Sequence, residues 1–487
     1  MSKTVRNVII AGVIVVAVPA LIFHGQHSRD RSALAAYKAE LRAKGEKLTP
    51  EELGYPRPPE SSQSLDKLRA GLSHIGSLKY HPGSLELMRF VGAGRVQIGW
   101  ATAQPPFNAA WSNRTNSPNW GEFCAELDSI GGPLAEIRAA TQNPPRYFFN
   151  DPTNFPNRPK GPFVELRNAA HWLMGDAAAA LHEGQLDRAH ADLHALTQLA
   201  QFYREDLTLV SQMIRAAIAG IGLATTWEAL QAPGWSEENL AAMERDWETV
   251  DLADLFEKGM IGERAFGGAV IAHLRAISPK QRMNFLNPAG NRVARRTVED
   301  YFEQFVAMPL WVANSEIDEL FYLQWSQSNL DAFRQLRSGA PWPVVSQLLY
   351  TNIHGMEGAF TNPLTRHRYF VSGFLMPNII RVANACIQNE TQRRLTITAI
   401  ALERQRLRNG KFPTDLKALV PQFLSAVPMD LMGGKPLRYR LNANGDFTLY
   451  SVGENGRDDG GDPNPSSATD QFGLGGGKDA VWPTAAK

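Results

Sequence analysis

From Phe163 to about Gly358 the apolar residues recur at helical spacing, and very few stretches before residue 436 alternate with period two. A half-buried strand needs that alternation, so a chain patterned this way has to bury helix against helix. One helix is expected from near Phe163 to about His182, with Gly184 as its breaker. A second starts near Leu186, and Asp206 opens the stretch LTLVSQMIRAAIAGIGLATTWEAL. Further helices are expected from Ser236, a good cap, to Val250, from Ala253 to Ile277, from Val298 to Gly339 and from Pro343 to about Gly358. The fold class that follows is mainly α, with irregular helical hairpins filling residues 161–390.

Within this body, GQLDRAHADL (184–193) resembles the turn and second helix of a tetratricopeptide-type unit, so the hairpins are tetratricopeptide-like in part. No clean period of about 34 residues accompanies it, and a regular repeat array is not expected.

At 487 residues the chain is too long for one small core, and more than one domain is expected. A formal charge of +1 argues against a nucleic-acid partner, which calls for a basic excess. Cys124 and Cys386 are far apart in sequence, and a long-range disulfide and two buried thiols both remain open. At the N-terminus Lys3 and Arg6 precede an uncharged apolar run from Val8 to Phe23, slightly short of the roughly 20 residues that span a bilayer. Snorkelling of Arg6 lengthens that span. An uncleaved membrane anchor over 1–28 is expected, ahead of a cleaved signal peptide or a buried helix. The expectation places the chain at the bacterial inner membrane, held by its N-terminal helix, with the bulk periplasmic.

Residues 29–160 read as a helical and linker region with Pro-rich loops. Positions 29–47 suggest an exposed helix, and Thr49 caps a short turn with Pro50 first and Glu52 third. Leu65 to about Trp100 is helical in part. Further on, Ile379, Ile380, Val382, Ala383, Cys386 and Ile387 recur at helical spacing, and Leu395, Ala399 and Leu402 extend a long helix toward the C-terminus.

The segment after that helix is a small α+β unit, 391–470. Gly410 ends the helix, Pro413 marks a turn, and Thr414 caps a short helix presenting Leu416, Leu419 and Val420. Pro436–Tyr439 and Asp446–Ser451 read as two strands joined by the bend from Asn442 to Gly445. The loop from Gly453 to Asp462 then carries Glu454, Asn455, Asp458, Asp459 and Asp462. Carboxylates so close repel one another, and either a bound Ca²⁺ or screening by water relieves the repulsion. Residues 471–487, rich in Gly, Ser and Pro with the 463–470 stretch before them, are expected to be a flexible tail, with Phe472 or Trp482 docked on the surface.

The order Lys411-Phe-Pro413, Val427-Pro428-Met-Asp430, Gly434-Lys-Pro436-Leu-Arg-Tyr439, Phe447-Thr-Leu-Tyr450-Ser451-Val-Gly453 and Asn455-Gly456 resembles the C-terminal domain of the major pseudopilin of type II secretion systems. The resemblance covers roughly Thr391 to Asp462. It implies Ca²⁺ held by Asp458, Asp459 and Asp462, with backbone oxygens near Leu431 or Gly453 assisting. The N-terminus lacks the family's Gly-Phe processing site and the Glu that follows it, so pseudopilus assembly is not implied. The whole chain resembles large envelope proteins of planctomycete and verrucomicrobial bacteria, from which no activity transfers.

Enzyme signatures are weak. His190 and His194 share a helix face without the Glu of a metalloprotease helix, and satisfied histidines account for them better. His171, beside Trp172, reads as core packing. Ser73 and His74 in GLSHIG lack the nucleophile-elbow form. Glu316, Asp318 and Glu319 beside Phe321, Tyr322 and Trp325 read as an amphipathic helix, acidic outside and aromatic inside. Two classes of function follow. One is a non-catalytic, membrane-anchored scaffold for protein contacts with a Ca²⁺-stabilised tail. The other is a membrane-anchored hydrolase with its site in a groove between helices.

Overall fold

A computed structural model of the chain describes residues 26–58, 61–75, 81–108, 119–148, 151, 161–286, 308–361, 366–376, 379–467, 473–474 and 477–486. The described helices are α1 (26–43), α2 (Gln63–His74), α3 (Trp120–Asp128), α4 (Gly131–Thr141), α5 (Phe163–His182), α6 (Leu186–Leu199), α7 (Leu209–Leu230) and α8 (Glu237–Glu248). They continue as α9 (Leu252–Ala276), α10 (Pro279–Leu286), α11 (Met308–Ala313), α12 (Ser315–Arg334), α13 (Trp342–Thr361), α14 (Phe370–Leu375) and α15 (Ile379–Asn409).

Local chemistry explains the boundaries. Gly184, at φ 71°, closes α5 in a left-handed turn whose Gln185 N–H reaches the Ala180 carbonyl at 2.8 Å, and the chain doubles back as α6. The Ala177–Ala180 run is fully buried, so α6 and α7 pack close to the α5 backbone. Thr208, rather than Asp206, caps α7, through its side chain and the Ser211 N–H. Ser236 caps α8 in the same way. Gly262 and Gly267 let α9 press against the Leu207 backbone and the Tyr322 hydroxyl, where a Cβ would collide.

Two apolar helices form the hub. α7 packs on α5, α6 and α9, and α15 packs on α7, α8, α9 and α13. One hydrophobic cluster then runs without interruption from Leu65 to Trp482, through helices and strands alike.

Strands β1 (Arg89–Gly92) and β2 (Arg95–Gln97) form an antiparallel hairpin, joined in parallel by β8 (Thr484–Ala485). β3 (Met429–Asp430) pairs with β4 (Lys435–Pro436). β5 (Arg438–Leu441), β6 (Phe447–Ser451) and β7 (Ala480–Val481) make an antiparallel sheet.

The expected architecture needs correction in several places. The protein is mainly helical with a small C-terminal β region. Among the described residues, however, the stretches long and apolar enough to cross a membrane are Leu209–Leu230 and Phe370–Asn409, both far from the N-terminus. The run Val8–Phe23 lies outside the described residues, so attachment to a membrane through an N-terminal helix has no support. α7 buries Arg215, Trp227 and Glu228, which makes it a core helix of this fold. The 390/391 boundary falls inside the continuous α15. Helix α1 is docked rather than exposed: Leu34 and Leu41, with Leu48, pack on Leu320 and Leu323 of α12. The last residues do not form a loose tail. They complete two sheets, Trp482 is buried, and Trp227 Nε1 donates to the Pro483 carbonyl at 3.1 Å. Both cysteines are free and buried.

Candidate functional site

The loop from Gly453 to Asp462 sits where the β region meets the helical body, and its aspartates find partners within the protein. Asp458 accepts from Arg438 Nε at 2.9 Å and from the Tyr450 hydroxyl at 2.9 Å. Partial burial alone would raise its pKa, but these donors hold it below the usual carboxylate value. Asp462 pairs with Lys478 Nζ at 2.8 Å and accepts from the Asn464 N–H at 3.0 Å; these contacts bring its pKa down to about 2. Asp459 takes the Asn455 amide at 2.8 Å.

The decisive residue is Asp479, which is 1% exposed. Its carboxylate accepts the backbone N–H groups of Asp459, Gly461 and Asp462 at 3.3, 2.8 and 3.0 Å. A Ca²⁺ loop turns oxygens inward, whereas this loop turns N–H donors inward onto a protein anion. Among the described residues no group of three or more Asp, Glu, His or Cys side chains converges as metal ligands would. The expected Ca²⁺ at Asp458, Asp459 and Asp462 is therefore corrected: Arg438, Lys478 and backbone donors stand where the cation was expected. Asp430, buried nearby, ties β3 to β6 by accepting from the Met432 N–H, the Ser451 hydroxyl and the Val452 N–H at 2.9, 2.6 and 2.9 Å.

Two cavities flank α15 at this seam. The larger, of about 360 Å³, lies between the ends of α9 and α12 and the β3–β4 turn. Phe333, Leu336, Met429 and Leu431 give it an apolar wall, and Arg337, Arg394 and Asp254 its polar part. The charged groups there already have protein partners. Arg337 reaches Asp254 at 2.6 Å and Glu257 at 3.1 Å; Arg394 reaches Glu390 at 2.8 Å and the Met429 carbonyl at 2.6 Å. Asp251 caps α9 through the Asp254 N–H at 2.8 Å. The smaller cavity, of about 120 Å³, lies on the Gln388–Gln392 side of α15. A third, of about 330 Å³, opens between α1 and α9 beside Lys38, Arg42 and His273; Lys38 pairs with Glu319, which also receives Arg275 at 2.9 Å.

Several of the histidine and carboxylate candidates have structural partners, whereas His190 Nε2 and His171 Nδ1 are buried without a hydrogen bond among the described residues. His194 Nδ1 meets Asp246 Oδ2 on α8 at 2.8 Å, which raises its pKa, whereas burial lowers that of His190. His182 stacks on Trp120 and bonds the Trp100 carbonyl at 2.7 Å. Ser73 and His74 both bond back to the Ala70 carbonyl at the end of α2. On α12 the acidic residues do not face outward. Asp318 is buried and accepts from Trp311 Nε1 at 2.5 Å and from the Val371 N–H at 3.0 Å, and Glu319 is nearly covered.

Sequence reasoning missed the buried ion clusters. Arg138 and Arg188 both bind Asp176, and Arg138 also binds Asp192 at 2.7 Å. Arg264 and Arg334 share Glu46. Charges that look solvated on a helical wheel are buried here because their partners come from distant helices. A comparison with family models, with curated proteins and with solved structures finds no match to this chain.

Proposed function

We propose that the protein is a non-catalytic interaction scaffold of the bacterial cell envelope, with its bulk on the periplasmic side and a pseudopilin-like β region fused to its helical body. The placement in the envelope draws on the residue pattern shared with the major pseudopilin and with large planctomycete-type envelope proteins. The contact surface is the cleft between Arg337 and the β3–β4 turn.

One observation carries this reading. The cleft combines an apolar wall with charged groups that are already paired, and Met429 in that wall remains 43% exposed. An apolar centre with a polar rim is the anatomy of a protein contact, and paired charges there hold shape rather than exchange protons. The test is affinity capture from detergent-solubilised native membranes with the purified chain and with Met429→Asp. The reading expects a partner retained by the wild type and lost, by about tenfold or more, with a charge in the wall. Equal capture by both chains, or turnover of a substrate lost with Arg337→Ala, would contradict it.

A further inference from the structure

The smaller cavity has a lining of different chemistry. Helix α15 presents Gln388, Thr391 and Gln392 to it, and Glu454 comes from the loop after β6. Gln388 Nε2 donates to the Glu454 carboxylate at 2.5 Å, which fixes that amide's orientation, because a carboxylate can only accept. Among the described residues Gln392 Nε2 meets the thioether of Met88, at 3.5 Å. The Gln388 amide oxygen is thereby left as an acceptor, and the Gln392 amide can turn its oxygen to a ligand. Thr391 is 3% exposed, yet its Oγ1 has no hydrogen-bond partner among the described residues. A buried hydroxyl in that state costs stability unless a ligand or water reaches it. Glu454 has no cationic partner among the described residues. Glu454 is solvent-exposed, so the cavity has a carboxylate at its rim, amide oxygens and an unpartnered buried hydroxyl inside, with Leu395, Met432 and Ala480 supplying apolar wall.

From this lining the geometry points to a binding site for a small organic cation, a guanidinium or primary ammonium group on a short aliphatic stem, held by Glu454, the Gln388 and Gln392 amide oxygens and Thr391. Such a group donates to each of these oxygens, and its methylenes match the apolar wall. A volume of about 120 Å³ admits the head group and a stem of a few carbons but not a nucleotide or a sugar ring with substituents. The group can arrive as a free small molecule or as an arginine side chain of a partner. The inference goes beyond the scaffold reading and does not depend on the cleft at Met429.

Saturation-transfer NMR on the full chain tests it, with ethylguanidinium, its neutral analogue ethylurea, and the capped tripeptide Gly-Arg-Gly. Saturable binding of ethylguanidinium with a Kd of about a millimolar is expected, given the few atoms it can engage. Ethylurea is expected to bind at least about tenfold more weakly, and the loop variant Glu454→Gln to weaken the cation by a similar factor. Tripeptide binding tighter than ethylguanidinium identifies a protein segment as the source, and the reverse order a free metabolite. Equal binding of ethylurea and ethylguanidinium, binding unchanged in Glu454→Gln, or no saturable binding of either cation overturns the inference.

Discussion

The buried Asp479 carboxylate receives the backbone N–H of Gly461 at 2.8 Å, with the N–H groups of Asp462 and Asp459 beside it. A loop rich in aspartate is thus folded around one more aspartate. Replacing Asp479 with Ala leaves these part-buried donors without a protein acceptor, and a loss on the order of 1 to 3 kcal/mol is expected. Asp479→Asn keeps one acceptor oxygen and is expected to fall between the two. Urea unfolding measures both, and limited proteolysis should show new cleavage in the Arg457–Gly461 stretch of the Ala variant.

Calcium provides a second test. Since Asp458 and Asp462 are committed to Arg438 and Lys478, millimolar Ca²⁺ or a chelator is expected to leave the Tm of the full chain unchanged within error. A saturable rise in Tm with Ca²⁺ would reinstate an ion in the loop.

His171 sets a pH dependence. Burial, reinforced by Arg167 and His81, pushes its pKa down to about 4, and its Nδ1 has no hydrogen-bond partner among the described residues. The unfolded chain takes up that proton near pH 6.5, so the stabilisation is complete above that value and is lost as pH falls toward 4. The loss is on the order of 2 to 3 kcal/mol. His171→Leu is expected to flatten stability across this window, which denaturant midpoints at pH 7.5 and pH 4.5 will show.

The extreme C-terminus is predicted to be indispensable. Deleting 480–487 removes β7 and β8, the buried Trp482 and the acceptor of the Trp227 indole. Losing a buried Trp alone costs about 3 to 5 kcal/mol, so the truncated chain is expected to be largely unfolded or aggregated by circular dichroism and gel filtration.

Legibility followed the range of the interactions. The α5–α6 hairpin was readable because Gly184 and the Ala run are local signals, and so was Ser236 as the cap of α8. Thr49 caps its turn as expected, its hydroxyl accepting the Glu52 N–H at 3.3 Å, while Glu52 accepts the N–H of the preceding Leu48 at 2.6 Å. The β5–β6 hairpin likewise follows from the Asn442–Gly445 bend. Hidden were features that need a partner from far away. The β1–β2 hairpin gains its third strand from the end of the chain, and Glu228 of α7 holds it through the Met88 and Gly99 N–H groups at 3.0 and 2.9 Å. Asp479 gives no sequence signal beyond a lone acid before an apolar pair. The acidic loop misled for the same reason, since Lys478 and Asp479 lie outside it.

The most direct measurement of the central claim is site-specific photocross-linking in cells producing the chain with a benzophenone amino acid at Met429. The scaffold account predicts a discrete higher-mass adduct to another protein from position 429. It also predicts that the adduct is absent with the probe at Val164, an exposed apolar residue on α5, outside the cleft. Indistinguishable patterns from the two positions, or none from 429, would contradict the account.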